Sequence, residues 1–159
     1  MTATRIAMLA GTYGLVMILG ALGFQYLGGI VPCEMCHWQR WAVIGAGVVG
    51  LCGWASIAYG GVGARNAPLF AALALLLIAC SGAIGAWQAG VEWHLIPGPQ
   101  SCTGTRFVFT GMENLNNEHV VRCDVPQWTL FGISLAGYNA ICSLGAALLG
   151  AALLLRKKP

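Results

Sequence analysis

The chain has 159 residues, of which 58% are hydrophobic and only 8% are charged, and its formal net charge is +3. Its mean hydropathy is +0.74. An ordinary soluble domain is about 25% charged, so this composition excludes a water-soluble globular fold. The positive excess is too small and too scattered for a nucleic-acid-binding domain. The composition is that of an integral membrane protein.

Four long stretches contain no Asp, Glu, Lys or Arg: 6–32, 41–64, 66–91 and 125–155. Each can hold the roughly 20 apolar residues with which an α-helix crosses the hydrocarbon core. Helices are expected because an open sheet would leave backbone groups unpaired in lipid. The sequence therefore predicts an all-α membrane protein, a four-transmembrane-helix bundle that forms one domain over residues 1–159. The predicted spans are about 6–27, 41–59, 68–89 and 130–155.

Small residues recur within these spans at a spacing that favours close helix packing. The segments 46–50 and 132–136 both follow the small-xxx-small pattern of membrane helix contacts. The segment 45–50 also matches the dinucleotide-binding string GxGxxG. No predicted strand precedes it, so we interpret it as a helix-packing surface rather than a nucleotide site.

The basic residues predict the orientation of the bundle. Arg5, Arg65 and the segment 156–158 lie on one side, and all five acidic residues lie on the other. The positive-inside rule places both termini in the cytoplasm. The outer side then carries a short segment, about 28–40, and a long one, about 90–128. Within the long one, residues 106–115 have the pattern of an amphipathic surface helix, and an irregular loop is equally compatible with them.

The seven cysteines fall into two classes. Those inside the apolar spans are expected to behave as small hydrophobic side chains; they are Cys52, Cys80 and Cys142. The other four fall on the outer side, in a compartment where disulfides persist; they are Cys33, Cys36, Cys102 and Cys123. Four thiols allow two disulfides, which are either structural or redox-active.

A CxxC motif, Cys33–Cys36, precedes the second span. Pro32 before it and the apolar run after it predict a position at a helix N-terminus, where the helix dipole stabilises a thiolate. Arg40 follows one helical turn after Cys36 and is expected on the same helix face. An ionisable group at the membrane boundary beside a redox pair is a candidate functional residue, and the alternative is an interfacial arginine that reaches towards lipid phosphates.

Two other chemistries fit parts of this pattern. Cys33–His37 reads CxxCH, the attachment string of c-type haem, but haem leaves Cys102 and Cys123 without a role. A zinc site made from the four cysteines is the other alternative, although the second pair lacks close ligand spacing. Both alternatives fit the motif context less well than redox-active or structural disulfides do, and we expect no metal site.

The two loop cysteines have different surroundings. Cys102 follows the rigid stretch 96–99 and is expected on the loop surface, whereas Cys123 lies just before the fourth span, near the membrane. If these two are linked, the bond can stabilise a loop of about 20 residues by on the order of 3 kcal/mol. The same bond can also pass oxidation from one disulfide to the next by thiol–disulfide exchange.

The ordered set of motifs resembles the DsbB family of bacterial inner-membrane disulfide-generating quinone reductases. The resemblance covers nearly the whole chain. It rests on four spans, on the CxxC with its trailing arginine, on a loop cysteine after a Pro-rich stretch, and on a last cysteine followed by the run Trp128-Thr-Leu-Phe-Gly-Ile-Ser-Leu-Ala-Gly-Tyr-Asn139.

The resemblance implies an activity and a role for each site residue. Cys102 and Cys123 would form the pair that oxidises a soluble periplasmic dithiol oxidase, DsbA, with Cys102 in the mixed disulfide. Cys123 would then attack Cys33, which leaves Cys36 as the thiolate facing ubiquinone or menaquinone. Arg40 would bind the quinone. The redox cysteines would lie on the periplasmic side of the inner membrane.

Three rival interpretations remain open at this level. A vitamin K epoxide reductase-like enzyme is also a four-helix bundle with two cysteine pairs, but its CxxC is expected near the last helix. A non-catalytic membrane subunit would use the disulfides as structural bonds only. A membrane-anchored c-type cytochrome would use the CxxCH segment.

Overall fold

The structure is a computed structural model that describes residues 2–61, 64–103 and 121–156. Four of its helices are long and apolar enough to cross a membrane. These are α1 (Ala3–Tyr26), α2 (Glu34–Ala58), α3 (Ala67–Glu92) and α5 (Leu135–Leu155), with α3 preceded by a short 3-10 turn, Ala64–Asn66. The predicted all-α four-span bundle is confirmed. The predicted amphipathic segment 106–115 lies outside the described residues.

Three of the four long helices, α1, α2 and α5, begin at residues whose side chains cap free backbone N–H groups. Thr2 accepts from the Arg5 N–H at the start of α1, and Ser134 accepts from the Gly137 N–H at the start of α5. At the start of α2, the sulfur of Cys33 performs the same function. Such caps satisfy donors that have no partner within the helix. The CxxC therefore lies at a helix N-terminus, as the sequence predicts.

The core of the bundle is formed by small residues that let the helices approach closely. A Cβ atom on Gly50 would lie 2.5 Å from the backbone nitrogen of Gly11, so α1 and α2 touch at this point. Ala46 is fully buried in the hydrophobic core between the helices. The packing interpretation of segment 46–50 is therefore confirmed. Helix α3 lies against both α2 and α5, whereas α1 and α5 touch only slightly.

The fourth predicted span begins too early. Helix α5 starts at Leu135, because residues before it form a two-stranded hairpin, β1 (Thr129–Leu130) and β2 (Ile133–Ser134). Phe131 and Gly132 connect the strands with φ values of 49° and 77°, as a two-residue type I′ turn requires. Gly132 thus serves this turn, and the prediction that segment 132–136 packs helices is wrong for Gly132.

The second and third helices extend further outwards than their predicted spans. Helix α2 begins at Glu34 rather than near Trp41, so residues 34–40, which include the charged Glu34 and Arg40, form its first two turns. Helix α3 continues to Glu92 rather than ending near Ala89. A one-turn helix, α4 (Gln100–Thr103), follows α3 in the chain. These extensions bring polar side chains of α2 and α3 next to each other at the end of the bundle that carries Cys33 and Cys36.

Candidate active site

The two cysteines of the CxxC motif lie side by side at the start of α2. Their sulfurs are 2.7 Å apart, and Cys33 Sγ accepts the backbone N–H of Cys36 at 3.3 Å. Cys33 is buried and Cys36 is partly buried. The hydrogen bond that the Cys33 thiol shares with Cys36, together with burial, raises the pKa of Cys33 above its usual value.

The other two outer cysteines form a disulfide. The Cα atoms of Cys102 and Cys123 are 5.4 Å apart, and the Cys123 N–H donates to the carbonyl of Cys102 at 3.1 Å. The bond is buried in one cluster with Cys33 and Met35, and Cys36 packs against that cluster. The fold thus brings the four predicted site cysteines together.

One prediction about this pair is wrong. Cys102 was expected on the loop surface, yet it is only 4% exposed. The reason is local: the Pro99 carbonyl accepts the N–H groups of Cys102 and Thr103, which coils residues 100–103 into α4 instead of leaving them extended. The coil turns the Cys102 side chain inwards, against the cluster.

A cavity of about 380 Å³ extends from these cysteines into the bundle. Its volume lies within the usual range of small-molecule sites, about 300–1,000 Å³. Its walls are mainly apolar and come from α1, α2, α3, α5 and the segment before β1. Polar side chains in the walls come from three of the long helices; among them are Gln39 and Arg40 of α2, Ser81, Gln88 and Glu92 of α3, and Asn139 of α5.

Aromatic side chains surround the part of this cavity between α1 and α5. The rings of Phe24 and Trp128 lie 5.2 Å apart, and those of Trp128 and Tyr138 lie 6.3 Å apart, all at tilted angles. The Tyr138 hydroxyl donates to the Leu130 carbonyl, which ties α5 to the hairpin. Such contacts favour an apolar, ring-shaped ligand in this place.

Arg40 lies in the wall of the same cavity as Cys33 and Cys36. Its guanidinium donates to Gln25 Oε1 and, at 3.2 Å, to the carbonyl of Ala21, so α1 holds it in position. Both partners are neutral acceptors, so neither of them compensates the positive charge of Arg40. An arginine held in this way offers its charge to an anionic or electron-rich group in the cavity.

A chain of polar side chains crosses the apolar bundle, and the sequence-based analysis missed it. Gln88 contacts both CxxC sulfurs, Gln39 donates to Gln88, and Asn139 donates to Gln39. The chain continues through Ser143, whose hydroxyl contacts Tyr13. Polar residues within a membrane span mark functional candidates, and this rule, applied to uncharged amides, could have identified Gln39, Gln88 and Asn139.

The remaining cysteines and the neighbouring histidine have simple placements. Cys52, Cys80 and Cys142 lie within α2, α3 and α5, as predicted, and are exposed on the helix surface. His37 is also exposed and does not line the cavity. Cys102 and Cys123 bond to each other, so their sulfurs are not arranged as zinc ligands.

Known proteins resemble this chain over most of its length. The model of the family described as disulfide bond formation protein DsbB matches residues 3–153. Disulfide bond formation protein B of Verminephrobacter eiseniae is 29% identical, over 98% of this chain and 88% of the relative. Disulfide bond formation protein B 2 of Pseudomonas syringae pv. syringae is 32% identical, over 92% of this chain and 85% of the relative. No solved structure is significantly similar to the chain.

A four-helix membrane bundle that gathers two cysteine pairs beside one cavity defines a membrane-embedded disulfide oxidoreductase. The names of the similar proteins agree with that class and point to one family within it. The chain belongs to the DsbB family and is a membrane protein of disulfide bond formation. The resemblance drawn from the motifs is thus confirmed, and the haem and vitamin K epoxide reductase-like interpretations are not needed.

Proposed function

We propose that this protein re-oxidises a periplasmic thioredoxin-like dithiol oxidase, similar to DsbA, and passes the electrons to membrane quinone. The single observation that carries the proposal is that Cys33 and the Cys102–Cys123 disulfide share one buried cluster while Cys33 and Cys36 also line the cavity. One pair can therefore exchange with the other, and the inner pair can meet a lipid-soluble acceptor.

The thiol steps balance without any further reactant. A thiolate of the partner attacks Cys102, forms a mixed disulfide and releases the Cys123 thiolate. Cys123 attacks Cys33 and breaks the Cys33–Cys36 disulfide, which releases the Cys36 thiolate. The second thiol of the partner then closes its own disulfide and frees Cys102, which attacks Cys123, re-forms Cys102–Cys123 and leaves Cys33 as a thiol.

The cavity supports quinone as the electron acceptor. Its apolar wall includes Val16 and Met17 of α1, at membrane depth, and its sulfur end carries the Arg40 charge and amide groups. A bound ubiquinone or menaquinone would accept the two electrons and two protons that the Cys33–Cys36 dithiol loses when it becomes a disulfide. Arg40 would hold an electron-rich quinone oxygen, and Cys36, the less buried of the two cysteines, would face the ring.

The energetics point the same way. A DsbA-type partner has a reduction potential of about −120 mV, so only a more oxidising acceptor can regenerate its disulfide. For a two-electron couple each 30 mV corresponds to about 1.4 kcal/mol. A helix N-terminus and a nearby guanidinium favour the thiolate of the reduced CxxC, which raises the potential of that pair towards that of the partner.

The positive-inside rule supports the direction of transfer. Arg5 and Arg65 lie at the end of the bundle opposite to the cysteines, with the segment 156–158 on the same side in sequence. We therefore propose that both termini face the cytoplasm and that the cysteines face the periplasm of a bacterial inner membrane.

This proposal can be tested by mixing the purified protein with a reduced thioredoxin-like partner and a short-chain ubiquinone. The loss of quinone absorbance then measures turnover. Cys36→Ser should abolish turnover with any thiol donor. Cys102→Ser should stop the reaction with the partner protein but keep the reaction with dithiothreitol, which can reach the inner pair directly. Cys80→Ser, on the exposed surface of α3, is the matched control and should turn over normally. Sustained turnover in Cys36→Ser would refute the mechanism.

A further inference from the structure

The side chain of Gln88 touches both reacting sulfurs. Its Nε2 lies 3.5 Å from Cys33 Sγ and 3.7 Å from Cys36 Sγ, and the side chain is almost fully buried on α3. The thiol of Cys36 can in turn donate to Gln88 Oε1 at 3.8 Å. No charge on Gln88 is needed for this contact, because sulfur, although a weaker acceptor than oxygen, accepts an amide N–H.

The hydrogen bonds around Gln88 determine which end of its amide faces the sulfurs. The Ser81 carbonyl can only accept, so Asn139 turns its NH₂ group towards it at 3.1 Å, and the same NH₂ group donates to Gln39 Oε1 at 2.6 Å. Gln39 then uses its own NH₂ group, which donates to Gln88 Oε1 at 2.7 Å. The remaining end of Gln88 is its NH₂ group, and this end points at Cys33 and Cys36.

Glu92 fixes the same orientation from the outer side. It lies one turn after Gln88 on α3, and its Oε1 accepts from Gln88 Nε2 at 3.1 Å. Its Oε2 is also buried. Because Oε1 accepts from the Gln88 NH₂ group, Glu92 holds the donor end of Gln88 next to the two sulfurs.

We propose that Gln88 is a catalytic residue of the inner cysteine pair: its amide N–H stabilises the Cys36 thiolate in the reduced state, and Gln39 and Glu92 are positioning residues that aim it. The inference deepens the proposed function, since it concerns the pair that would meet quinone. It also explains why an apolar bundle keeps three amide side chains in one hydrogen-bonded row, where Leu would pack without unpaired groups.

A purely structural role for Gln88, as a polar contact between α2 and α3, makes a different prediction. Polar bonds between membrane helices stabilise the fold, whichever redox state the cysteines have. A donor to the thiolate favours the reduced state alone, so its removal makes the Cys33–Cys36 pair more reducing. The reduction potential therefore separates the two roles.

The experiment equilibrates detergent-solubilised protein with dithiothreitol redox buffers at about pH 8, and mass spectrometry after alkylation counts the oxidised fraction of each pair. In Gln88→Met the equilibrium constant of the Cys33–Cys36 pair should change about tenfold towards the disulfide, which is about 30 mV for two electrons. The Cys102–Cys123 pair in the same molecule should keep its potential. Ala86→Met, an exposed position on α3, places the same side chain away from the sulfurs and should change neither pair.

A positioning residue supplies the second variant of the test. Gln39→Met leaves Gln88 in place but releases the anchor on its Oε1, so it should shift the inner pair in the same direction by less than Gln88→Met. An inner-pair potential equal to that of the unaltered protein in Gln88→Met, or in Gln39→Met if Gln88→Met does not fold, would overturn the inference. The measurement uses neither quinone nor partner, so a failure of quinone turnover would reject the proposed function without affecting this result.

Discussion

Asn139 of α5 donates its side-chain amide to Gln39 Oε1 of α2 at 2.6 Å, in the interior of the bundle. The same amide group lies 3.1 Å from both the carbonyl oxygen and the hydroxyl of Ser81 on α3. One side chain therefore joins three membrane helices within the polar row that leads to Cys33 and Cys36. Since lipid offers these groups no alternative partner, each of them depends on Asn139.

Replacing Asn139 with Leu should lower the free energy of unfolding. The change leaves Gln39 and Ser81 without their donor, and bonds of this kind are worth about 0.6 kcal/mol each on average in membrane bundles, so a loss of about 1–2 kcal/mol is expected. Denaturation in mixed detergent micelles measures it. Ile141→Leu, on the exposed face of α5, should leave stability unchanged. Equal stabilities of the two variants would show that the polar row does not hold the helices together.

The close contact between α1 and α2 gives a second stability prediction. A Cβ atom on Gly50 would lie 2.6 Å from the Ala7 carbonyl as well as 2.5 Å from the Gly11 nitrogen, so Gly50→Ala must push the helices apart. Overpacking of this kind costs about 1–3 kcal/mol or more. Thermal unfolding in detergent should show a clear drop in Tm. Gly23→Ala on α1 meets no atom within 4 Å and is the control; a similar drop there would contradict the packing account.

Arg40 should control the use of quinone rather than the exchange between cysteine pairs. Arg40→Ala removes the cation from the cavity wall, and we expect KM for a short-chain quinone to rise about tenfold, as for the loss of one charged contact. Arg40→Lys should recover only part of the effect, because an ammonium lacks the two separate nitrogens with which the guanidinium contacts Gln25 and Ala21. Steady-state kinetics measures both. Unchanged KM and kcat in Arg40→Ala would remove Arg40 from the site.

The ion pair beside Cys123 predicts a dependence on pH. Arg122 Nε donates to Asp124 Oδ1 at 2.9 Å, and this hydrogen bond lowers the pKa of Asp124. Because the pKa of Asp124 is lowered, the ion pair stabilises the segment around Cys123 at pH values above the unfolded-state pKa of about 3.9. This stabilisation is lost as the pH falls through the lower folded-state pKa.

The rate at which a phosphine reductant reduces the Cys102–Cys123 disulfide measures how stable the segment around Cys123 is. Asp124→Asn removes the pair, so at about pH 7 the variant should be reduced about twofold faster than the unaltered protein, as expected for an exposed pair. Below the folded-state pKa of Asp124 the two rates should converge, because the native carboxyl is then protonated as well. A difference that stays the same down to about pH 3 would assign the effect to side-chain shape instead of charge.

The four helices could be predicted because a membrane span needs only length and an absence of charge. The helix ends near the cysteines could not be predicted, because the same rule treats polar residues as the end of a span. Glu34 and Arg40 were placed outside the second span, yet Cys33 caps the helix and both residues belong to its first two turns. The start of α5 was misjudged because the turn at Phe131 and Gly132 interrupts an apolar run without adding a charge.

The cysteines and Arg40 could be selected from sequence because their spacing follows one helix turn and one family pattern. The burial of Cys102 could not, since it depends on the Pro99 carbonyl closing α4. Gln88 and Glu92 escaped notice because their importance comes from contacts across helices. A spacing of four residues puts them on one face of α3, but only the fold brings that face to Cys33.

The transfer between the two cysteine pairs is the central claim, and trapping one covalent intermediate tests it most directly. The Cys36→Ser, Cys102→Ser double variant leaves Cys33 and Cys123 without their partners but within one cluster. Mild oxidation followed by peptide mass spectrometry should find a Cys33–Cys123 disulfide in most molecules, while Cys80 stays reduced. If Cys33 and Cys123 remain separate thiols, or if Cys33 bonds only to cysteines of other molecules, the two pairs do not exchange and the account is wrong.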